Sequence, residues 1–282
     1  MNKNLDIKKL ENWIGKKEIV KDILTPNLEQ KFRATLDIKV GDPKIGDIAS
    51  SGIHWAIAPP ITRTSELGTD SHAARGSFLP PVSLPRRMWA GCQTTFFSNF
   101  YIGDEVTRES SIFDVVLKKG KTGNLCFVKV KHEFYVKNNK ILEEFQDIVY
   151  REINQNETNF KIQFPFKKGD LEEEIFTHPT LLFRYSAITF NGHRIHYDFE
   201  YCKKEEKYRD LVFHGPLQAT FLLRTSERLA DKKAKKFVHL GVAPVFANEN
   251  LKIKVKQSNT KEIISFTSTK SSGVTMKGIT NF

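Results

Sequence analysis

The stretch that most constrains the fold is "FHGPLQATFLLR" at residues 213–224. It predicts a helix whose first half is apolar on nearly every side, and such a helix must be buried all round. Strand-like runs follow it to the end of the sequence: "KFVHLGVAPVFANENLKIKVKQSN", "EIISFTSTKSS" and "GVTMKGITNF". An antiparallel sheet curled around the helix satisfies both patterns, so an α+β fold is predicted.

The order of elements in the C-terminal half has a weak counterpart in the N-terminal half. By position, "LEQKFRATLD" matches "LLFRYSAITFN", "SSGIHWAIAPP" matches "VFHGPLQATFLL", and "RRMWAGCQTTFFSNFYIGDEVTRESSI" matches "KKFVHLGVAPVFANENLKIKVKQSN". The 282 residues are enough for two such units. We therefore predict an N-terminal unit over residues 1–150, a polar linker over 151–170 and a C-terminal unit over 171–282. Each unit is expected to have a long central helix wrapped by its sheet.

Local signals predict further elements. Residues 5–37 are predicted to be mostly helical, because Thr25 and Pro26 form a helix start and apolar residues follow at four-residue spacing. Thr177 is predicted to cap a second helix in the same way. Residues 64–85 show no such pattern, so they are predicted to be a long loop that either contributes to binding or has no role.

Charge and composition exclude several classes of partner. The net charge of +11 suggests nucleic acid first. The lysines, however, are spread in small groups without stacking aromatic residues, so we predict no nucleic-acid partner. A phosphorylated coenzyme would explain the basic balance equally well. No apolar run approaches the ~20 residues of a membrane helix, so no membrane partner is predicted. The three cysteines lie far apart, which predicts the cytoplasm, with the mitochondrial matrix as the second compartment.

The residues that point to chemistry lie in "FNGHRIHYDFEY" at residues 190–201, ahead of Gly215. A buried helix that begins at a glycine offers free backbone N–H groups and its positive dipole end. A thioester oxygen placed there would be polarised, and a developing enolate would be stabilised. A nearby imidazole can transfer a proton at neutral pH. Together these groups predict addition or removal of water next to a thioester.

The same residues carry a family resemblance. "YSAITFNGHRIHYD", followed by "VFHGPLQA", resembles the MaoC-like R-specific enoyl-CoA hydratases, whose motif is Asp-x-Asn-Pro-(Ile/Leu)-His before a glycine-headed helix. With "FLPPVSLPRRMWAG" and "IGDEVTRES", nearly the whole chain is similar to a double-hotdog subgroup. That subgroup contains mesaconyl-C4-CoA and itaconyl-CoA hydratases and the 3-hydroxyacyl-thioester dehydratases of fatty-acid synthesis. The resemblance implies a double hotdog of two tandem hotdog units and a hydro-lyase.

The resemblance also implies catalytic residues. His196 falls on the catalytic histidine, Gly215 on the glycine whose N–H binds the thioester oxygen, and Asn191 on the aspartate. Asparagine cannot act as a general base, so His196 is predicted to carry the proton transfer while Asn191 orients water. The N-terminal half offers Asp37 at the place of Asn191 and no matching histidine. Because such pairs keep one active half, that half is predicted to be non-catalytic and to hold the acyl or pantetheine part.

Five further residues are predicted to contact the substrate or its coenzyme A. Arg194, His193, Arg87, Trp89 and His214 form this set. Alternatives remain for three of them. Arg194 either pairs with a carboxylate or phosphate or is solvated, Arg87 either clamps an anion or is a strand-edge charge, and His214 either caps the helix or contacts the site. The H-x-x-H spacing lacks a third ligand, so no metal is predicted. No cofactor is predicted either, since coenzyme A is part of the substrate.

The predicted reaction is syn hydration or dehydration of a C5 dicarboxylic acyl-CoA, such as mesaconyl-C4-CoA or itaconyl-CoA. Such a substrate would need a cation in the acyl pocket, whereas a fatty acyl chain would need an apolar tunnel, which 22 Phe could line. The alternatives are a dehydratase of fatty-acid synthesis, a hotdog thioesterase and a non-catalytic acyl-CoA-binding protein. Coenzyme A and acyl carrier protein both stay possible carriers. A double hotdog contains its pairing within one chain, so a monomer and a homodimer are both compatible.

Overall fold

The computed structural model describes residues 5–120, 123–152 and 164–282, so most of the predicted linker lies outside the described residues. Within them, ten strands form a single antiparallel sheet around a few helices. The strands are β1 (Lys17–Ile23), β2 (Arg86–Phe96), β3 (Glu105–Gly120), β4 (Gly123–Val136), β5 (Asn139–Arg151), β6 (Leu171–Phe176), β7 (Lys236–Gly241), β8 (Asn250–Asn259), β9 (Glu262–Thr269) and β10 (Gly273–Asn281). The helices are α1 (Ile7–Glu11), α2 (Pro26–Thr35), α3 (Pro179–Ile188), α4 (Phe199–Lys204) and α5 (Gly215–Ala230).

The sheet shows that the two halves are copies of one arrangement. Its strand order is β1-β3-β4-β5-β2-β7-β10-β9-β8-β6, which reads the same from either end when each N-terminal strand is exchanged for its C-terminal counterpart. The halves join where residues 91–95 of β2 pair with residues 236–240 of β7. This is the double hotdog that the resemblance implies, and the predicted fold class is confirmed.

Helix α5 is the buried helix predicted from its apolar sequence. Leu217, Phe221 and Leu222 are almost fully buried, and they belong to a core that includes strand residues of the C-terminal half such as Ile253. The helix ends at Asp231, which adopts a left-handed conformation with φ of 51°. The N-terminus of α5 therefore points to a fixed place beside the sheet.

The N-terminal half departs from the prediction at its centre. The stretch "SSGIHWAIAPP" was expected to match α5, but it forms only the single 3₁₀ turn Ile53–Trp55. Pro59 and Pro60 follow within a few residues, and prolines can neither donate backbone hydrogen bonds nor tolerate a helical residue before them. A long central helix in each unit is therefore wrong for the N-terminal unit. Its concave sheet face is left free to line a cavity.

Three smaller predictions are also corrected. Residues 5–37 are not mostly helical, because they contain the edge strand β1 between α1 and α2. Thr25 does cap α2, accepting a hydrogen bond from the Leu28 N–H at 3.1 Å. Thr177 does not cap α3. His178 takes that position, and Nδ1 of its ring accepts from the Thr180 N–H. Among the described residues, no helix is both long enough and apolar enough to cross a membrane.

Candidate active site

A cavity of about 1440 Å³ joins the two halves of the sheet. Its wall is built from the loop before β2, the concave face of β4 and β5, the loop after α3 and the start of α5. Ligand pockets of ordinary size occupy roughly 300–1,000 Å³. This cavity is thus large enough for an acyl group together with part of a long carrier arm.

The loop after α3 places two histidines in the wall of this cavity. Phe190 takes a left-handed conformation with φ of 51°, which turns the chain away from the helix. The Asn191 side-chain oxygen then accepts a hydrogen bond from the His193 N–H at 3.0 Å, closing a turn typical of asparagine. A 3₁₀ turn, Arg194–His196, follows. His193 and His196 are both buried and both line the cavity.

His196 is held in one tautomer. Its Nδ1 donates a hydrogen bond to the Val212 carbonyl at 2.6 Å, which leaves Nε2 as the lone-pair nitrogen. Burial lowers the pKa of His196 to about 4, against a smaller opposing effect of the Val212 carbonyl. At neutral pH the ring is therefore uncharged and can accept a proton or a hydrogen bond through Nε2.

His214 supports His196 rather than touching the cavity. The two rings are stacked, with centroids 3.5 Å apart and planes 18° apart. The His214 Nε2 is 2.8 Å from the Ser186 hydroxyl, and its side chain makes no capping bond to α5. Burial, and then the neighbouring His196, keep the pKa of His214 well below its usual range. A direct substrate contact of His214 is not supported, because the ring is fully buried and lies outside the cavity wall.

Gly215 begins α5 and lines the cavity. Its N–H has no acceptor among the described residues, so the helix offers the free donor that was predicted. The structure gives a steric reason for a glycine at this position. A Cβ at this position would lie 2.5 Å from Cε3 of Trp89, so glycine makes room for the tryptophan ring. Trp89 lines the cavity beside the helix start.

Arg87 is the predicted substrate-binding cation that the fold does bring to the site. Its guanidinium lines the cavity, and Nη2 is buried without a hydrogen-bond partner among the described residues. The nearest counter-charge is the Asp70 carboxylate at 3.6 Å. Burial first, and then His196 and Arg87, keep the pKa of His193 well below its usual range. Because its Nη2 has no hydrogen-bond partner among the described residues, Arg87 can donate a further hydrogen bond to a ligand.

Arg194 and Asp37 are not brought to the cavity. The Arg194 guanidinium bonds Asp198 at 2.7 Å and the Thr69 carbonyl at 3.2 Å, and it lies outside the cavity wall. A direct contact between Arg194 and the acyl group is therefore not supported. Asp37 has φ of 55° directly after α2, so it matches Phe190, rather than Asn191, in the turn that follows α3. Its side chain is exposed.

Two functional candidates were missed from sequence: Asp70 and His72, in the loop before β2. The Asp70 carboxylate is 3.2 Å from the Nδ1 of His72, and the His72 ring lines the cavity. The ring centroid of His72 lies 4.2 Å from that of His193. The spacing of an aspartate and a histidine two residues apart in a polar loop was the available signal. It is too common in loops to have singled them out.

Asp70, His72 and His193 are also the side chains among the described residues that could hold a metal ion. Their candidate ligand atoms lie within 4.8 Å of one another. The sequence prediction of no metal rested on a missing third ligand, and the fold supplies candidates for it. One of these pairs, the Asp70 carboxylate and Nδ1 of His72, is 3.2 Å apart. The Arg87 guanidinium also faces the same carboxylate, which opposes a second cation there.

The floor of the cavity carries a buried polar network that the sequence did not reveal. The Glu144 carboxylate accepts hydrogen bonds from Trp55 at 3.1 Å and Thr94 at 3.0 Å and contacts Nε2 of His54 at 3.1 Å. Burial alone would raise the pKa of Glu144, but the hydrogen bond with His54 and nearby charges hold it well below its usual range. Polar residues also lie opposite one another on neighbouring strands, so that a row of polar side chains through Glu144 crosses the sheet. Its members, in order, are Glu18, Ser110, His132, Glu144 and Thr94.

These features define a class of protein. A double hotdog in which a neutral histidine and an open helix N-terminus face one cavity has the arrangement of a hydratase or dehydratase that acts beside a thioester. The family model described as hydroxyacyl-thioester dehydratase type 2 matches residues 52–247. The chain belongs to this family, which makes it a hydro-lyase.

One similar sequence supports this assignment, and two solved structures share the fold. A mesaconyl-C4-CoA hydratase from Chloroflexus aurantiacus is 36% identical over 83% of this chain and 84% of its own length. A MaoC-like dehydratase from Phytophthora capsici has a similar structure, with a TM-score of 0.72, 12% identity and 99% of each chain covered. A Mycobacterium tuberculosis protein described as a double hotdog has a TM-score of 0.60 at 10% identity, covering 95% of this chain and 96% of that one.

Proposed function

We propose that this protein hydrates a C5 dicarboxylic enoyl-CoA such as mesaconyl-C4-CoA, or dehydrates the corresponding 3-hydroxyacyl-CoA. The observation that carries the reaction type is the pairing of two groups in one cavity wall. One is the lone-pair Nε2 of His196, and the other is the unpaired N–H of Gly215 at the start of α5. A base and an electrostatic stabiliser on one wall are what proton transfer beside a carbonyl requires.

The reaction follows from these positions. The thioester oxygen binds at the Gly215 N–H, where the positive end of α5 stabilises the negative charge that develops on the enolate. A water beside the Nε2 of His196 gives up a proton as its oxygen bonds to the β-carbon. The α-carbon receives a proton from the same side. Dehydration is the same sequence in reverse, with the same groups.

Asn191 contributes by position rather than by charge. Its side-chain oxygen already accepts the His193 N–H at 3.0 Å, so its first effect is to fix the turn that carries the histidines. It also lines the cavity, where its amide group can hydrogen-bond the reacting water. This is the water-orienting role expected from the sequence.

The substrate class follows from Arg87. In mesaconyl-C4-CoA the free carboxylate is bonded to the carbon that receives the hydroxyl group, so it must bind close to the base. Arg87 is the cavity-wall cation that influences His193, and the His193 ring is 5.5 Å from that of His196. A planar guanidinium with an unused N–H suits a carboxylate. The C. aurantiacus relative is named for this substrate.

A second candidate is the dehydration of 3-hydroxyacyl thioesters, a reaction that the description of the matching family names. The sequence resemblance places this reaction in fatty-acid synthesis. The cavity floor argues against a long alkyl chain. Glu144, His132 and Gln146 line it, and an alkyl chain laid over them would remove polar groups from water without replacing their hydrogen bonds. The small polar substrate therefore fits better.

The test is a substrate panel followed by loss of enoyl absorbance. Mesaconyl-C4-CoA, itaconyl-CoA and crotonyl-CoA are compared with the wild type and with Arg87→Met. We expect the highest kcat/KM for a dicarboxylic substrate, and we expect Arg87→Met to lower that value at least about 10-fold more than the value for crotonyl-CoA. Hydration of none of the three rejects the proposed activity. Equal losses for both substrate types reject the role of Arg87 and favour the second candidate.

The carrier, the need for a cofactor, the compartment and the oligomeric state stay predictions from the sequence. We propose that the substrate is an acyl-CoA, that no other cofactor is needed, and that the protein works in the cytoplasm or, as the second possibility, in the mitochondrial matrix. We propose that the chain functions either as a monomeric double hotdog or as a homodimer.

A further inference from the structure

The loop before β2 is hydrogen-bonded to the loop after α3, which carries His193 and His196. The Arg194 N–H donates to the Asp70 carbonyl at 3.2 Å, and the Arg194 guanidinium donates to the Thr69 carbonyl. Gly192 allows the approach, because a Cβ there would lie 3.1 Å from the Ser71 carbonyl oxygen. The loop of the N-terminal unit thus lies against the turn that carries His193 and His196.

The other end of the same loop is fixed as well. The Arg75 guanidinium donates to the carbonyls of Val82 at 2.6 Å, Leu84 at 2.5 Å and Pro85 at 2.6 Å, which ties the loop to the chain entering β2. The Leu67 and Ala73 backbones pair as an isolated bridge, closing the loop between them. Hydrogen bonds at both ends give His72 a defined position in the cavity wall.

His72 has a different electrostatic partner from His196. The Asp70 carboxylate lies behind the His72 ring, with one oxygen 3.2 Å from Nδ1 and the other accepting the His72 N–H at 3.0 Å. His196 faces a carbonyl oxygen instead, and it is stacked on another imidazole. A carboxylate stabilises a protonated imidazole far better than a carbonyl does. The two rings are therefore suited to opposite protonation states.

We propose that Asp70 and His72 together replace the carboxyl group that Asn191 lacks. His72 is a second catalytic residue, and Asp70 is its positioning residue. This inference rests on the proposed function and deepens it. Both imidazoles border His193, with ring centroids 4.2 Å from it for His72 and 5.5 Å for His196. A substrate lying over His193 would have both proton-transfer groups at the same face, as syn addition requires.

The proton balance divides the work between the two histidines. In hydration, the neutral Nε2 of His196 accepts a proton from water as the water oxygen bonds to the β-carbon. The double-bond electrons move to the thioester, and the α-carbon takes a proton from the imidazolium of His72, whose charge Asp70 had balanced. The product has gained one water. His196 then returns its proton to solvent and His72 takes one up, which restores the starting state.

Arg87 links this pair to the substrate. Its Nη2 lies 3.6 Å from the Asp70 carboxylate, so without a ligand it shares that charge with His72. A substrate carboxylate bound at Arg87 would neutralise the guanidinium and leave the Asp70 charge to His72. The dicarboxylic substrate would thereby favour the protonated state of His72 that the reaction needs.

Kinetics of single and double variants test the pair. We expect His72→Gln to lower kcat for mesaconyl-C4-CoA at least about 10²-fold with little change in KM, since it removes proton transfer rather than binding. Asp70→Asn should lower kcat at least about 10-fold. The double variant should be no worse than His72→Gln, because the two residues act as a unit. Arg63→Gln is the matched control: it removes an exposed charge from the same segment, and it should retain wild-type kcat.

Long-range ¹H–¹⁵N NMR of the histidine rings gives a readout that does not depend on turnover. We expect Nδ1 of His72, assigned through His72→Gln, to be protonated in the wild type in both the neutral and the charged ring, and the neutral ring to lose this preference in Asp70→Asn. The pair is rejected if the wild-type Nδ1 is unprotonated, or if an active wild type keeps its kcat in folded His72→Gln. A wild type that hydrates no thioester while showing the expected tautomer refutes the proposed function instead. Loss of activity in EDTA, restored by Zn²⁺, would assign Asp70, His72 and His193 to a metal and overturn the pair.

Discussion

The imidazole of His196 is stacked face to face on that of His214, with ring centroids 3.5 Å apart. Both rings are buried, and burial makes it unfavourable to charge either one, because the charged form loses its hydration. The pKa of His196 is lowered to about 4, and that of His214 lies well below its usual range. The pair therefore keeps His196 neutral and fixed, ready to accept a proton at physiological pH.

Removing the His196 ring should abolish most turnover. We expect His196→Ala to lower kcat for the best thioester at least about 10²-fold, the scale of a lost general acid–base group. Its free Nε2 is the group lost, since Nδ1 is occupied by the Val212 carbonyl. Steady-state kinetics on the substrate panel give the measurement.

A surface histidine provides the control for that change. His178→Asn keeps an acceptor at the start of α3, where Nδ1 of His178 now accepts the Thr180 N–H. Its kcat should match the wild type within about 2-fold. If His196→Ala retains wild-type kcat while folded, His196 is not the proton-transfer residue.

Gly215 should not tolerate even one added methyl group. In Gly215→Ala the new Cβ would lie 2.5 Å from Cε3 of Trp89, so the indole ring or the helix start must move. We expect the free energy of unfolding to fall by about 1–3 kcal/mol, as for overpacked cores, and kcat to fall because the Gly215 N–H is displaced. Chemical denaturation and the enoyl assay measure the two effects separately. Unchanged stability would show that the ring is free to move aside.

The buried carboxylate on the cavity floor should matter more for folding than its half-buried neighbour does. Glu144→Gln replaces an acceptor of several hydrogen bonds by a group that is partly a donor, facing the N–H groups of Trp55 and Gln146. We expect a loss of about 3 kcal/mol in the free energy of unfolding. Glu143→Gln, next to it on β5 but paired with Lys131 and Lys140 near the surface, should cost less than about 1 kcal/mol. Equal effects of both changes would contradict a structural role for the network.

Much of the fold could be predicted because it depends on strong local patterns. The apolar surface of α5 required burial, and the repeat of element order anticipated the palindromic sheet. The missing central helix of the N-terminal unit was less visible. Its sequence is apolar enough for a helix, and only Pro59 and Pro60 interrupt it. Because this stretch was matched by position to α5, a helix was predicted for it in spite of the two prolines.

Apart from Arg87 and Trp89 on β2, the part of the candidate site that was predicted is local in sequence. His196 and Gly215 are connected by a recognisable motif, and both line the cavity. Asp70 and His72 lie more than a hundred residues earlier, and only tertiary contacts such as the bond between Arg194 and Asp70 bring them to the site. Arg194 shows the opposite case. It lies within the motif, yet its contact with Asp198 turns it away from the cavity.

The buried histidines should make the protein sensitive to acid, and His239 offers the cleanest test. Burial lowers the pKa of His239 to about 3, from an ordinary value of 6.5. As the pH falls below 6.5, the unfolded chain therefore binds a proton at this residue while the folded protein does not. The stability that the neutral, buried His239 contributes is complete above pH 6.5 and is lost progressively as the pH falls toward 3. Neither ring nitrogen has a hydrogen-bond partner among the described residues, and Trp89 and Phe237 surround the ring. We expect His239→Phe to reduce the slope of unfolding free energy against pH by up to about 1.4 kcal/mol per pH unit between pH 4 and 6. Chemical denaturation across that range measures the slope. An unchanged slope, with His178→Asn as the exposed reference, would show that His239 already takes up its proton in the folded protein.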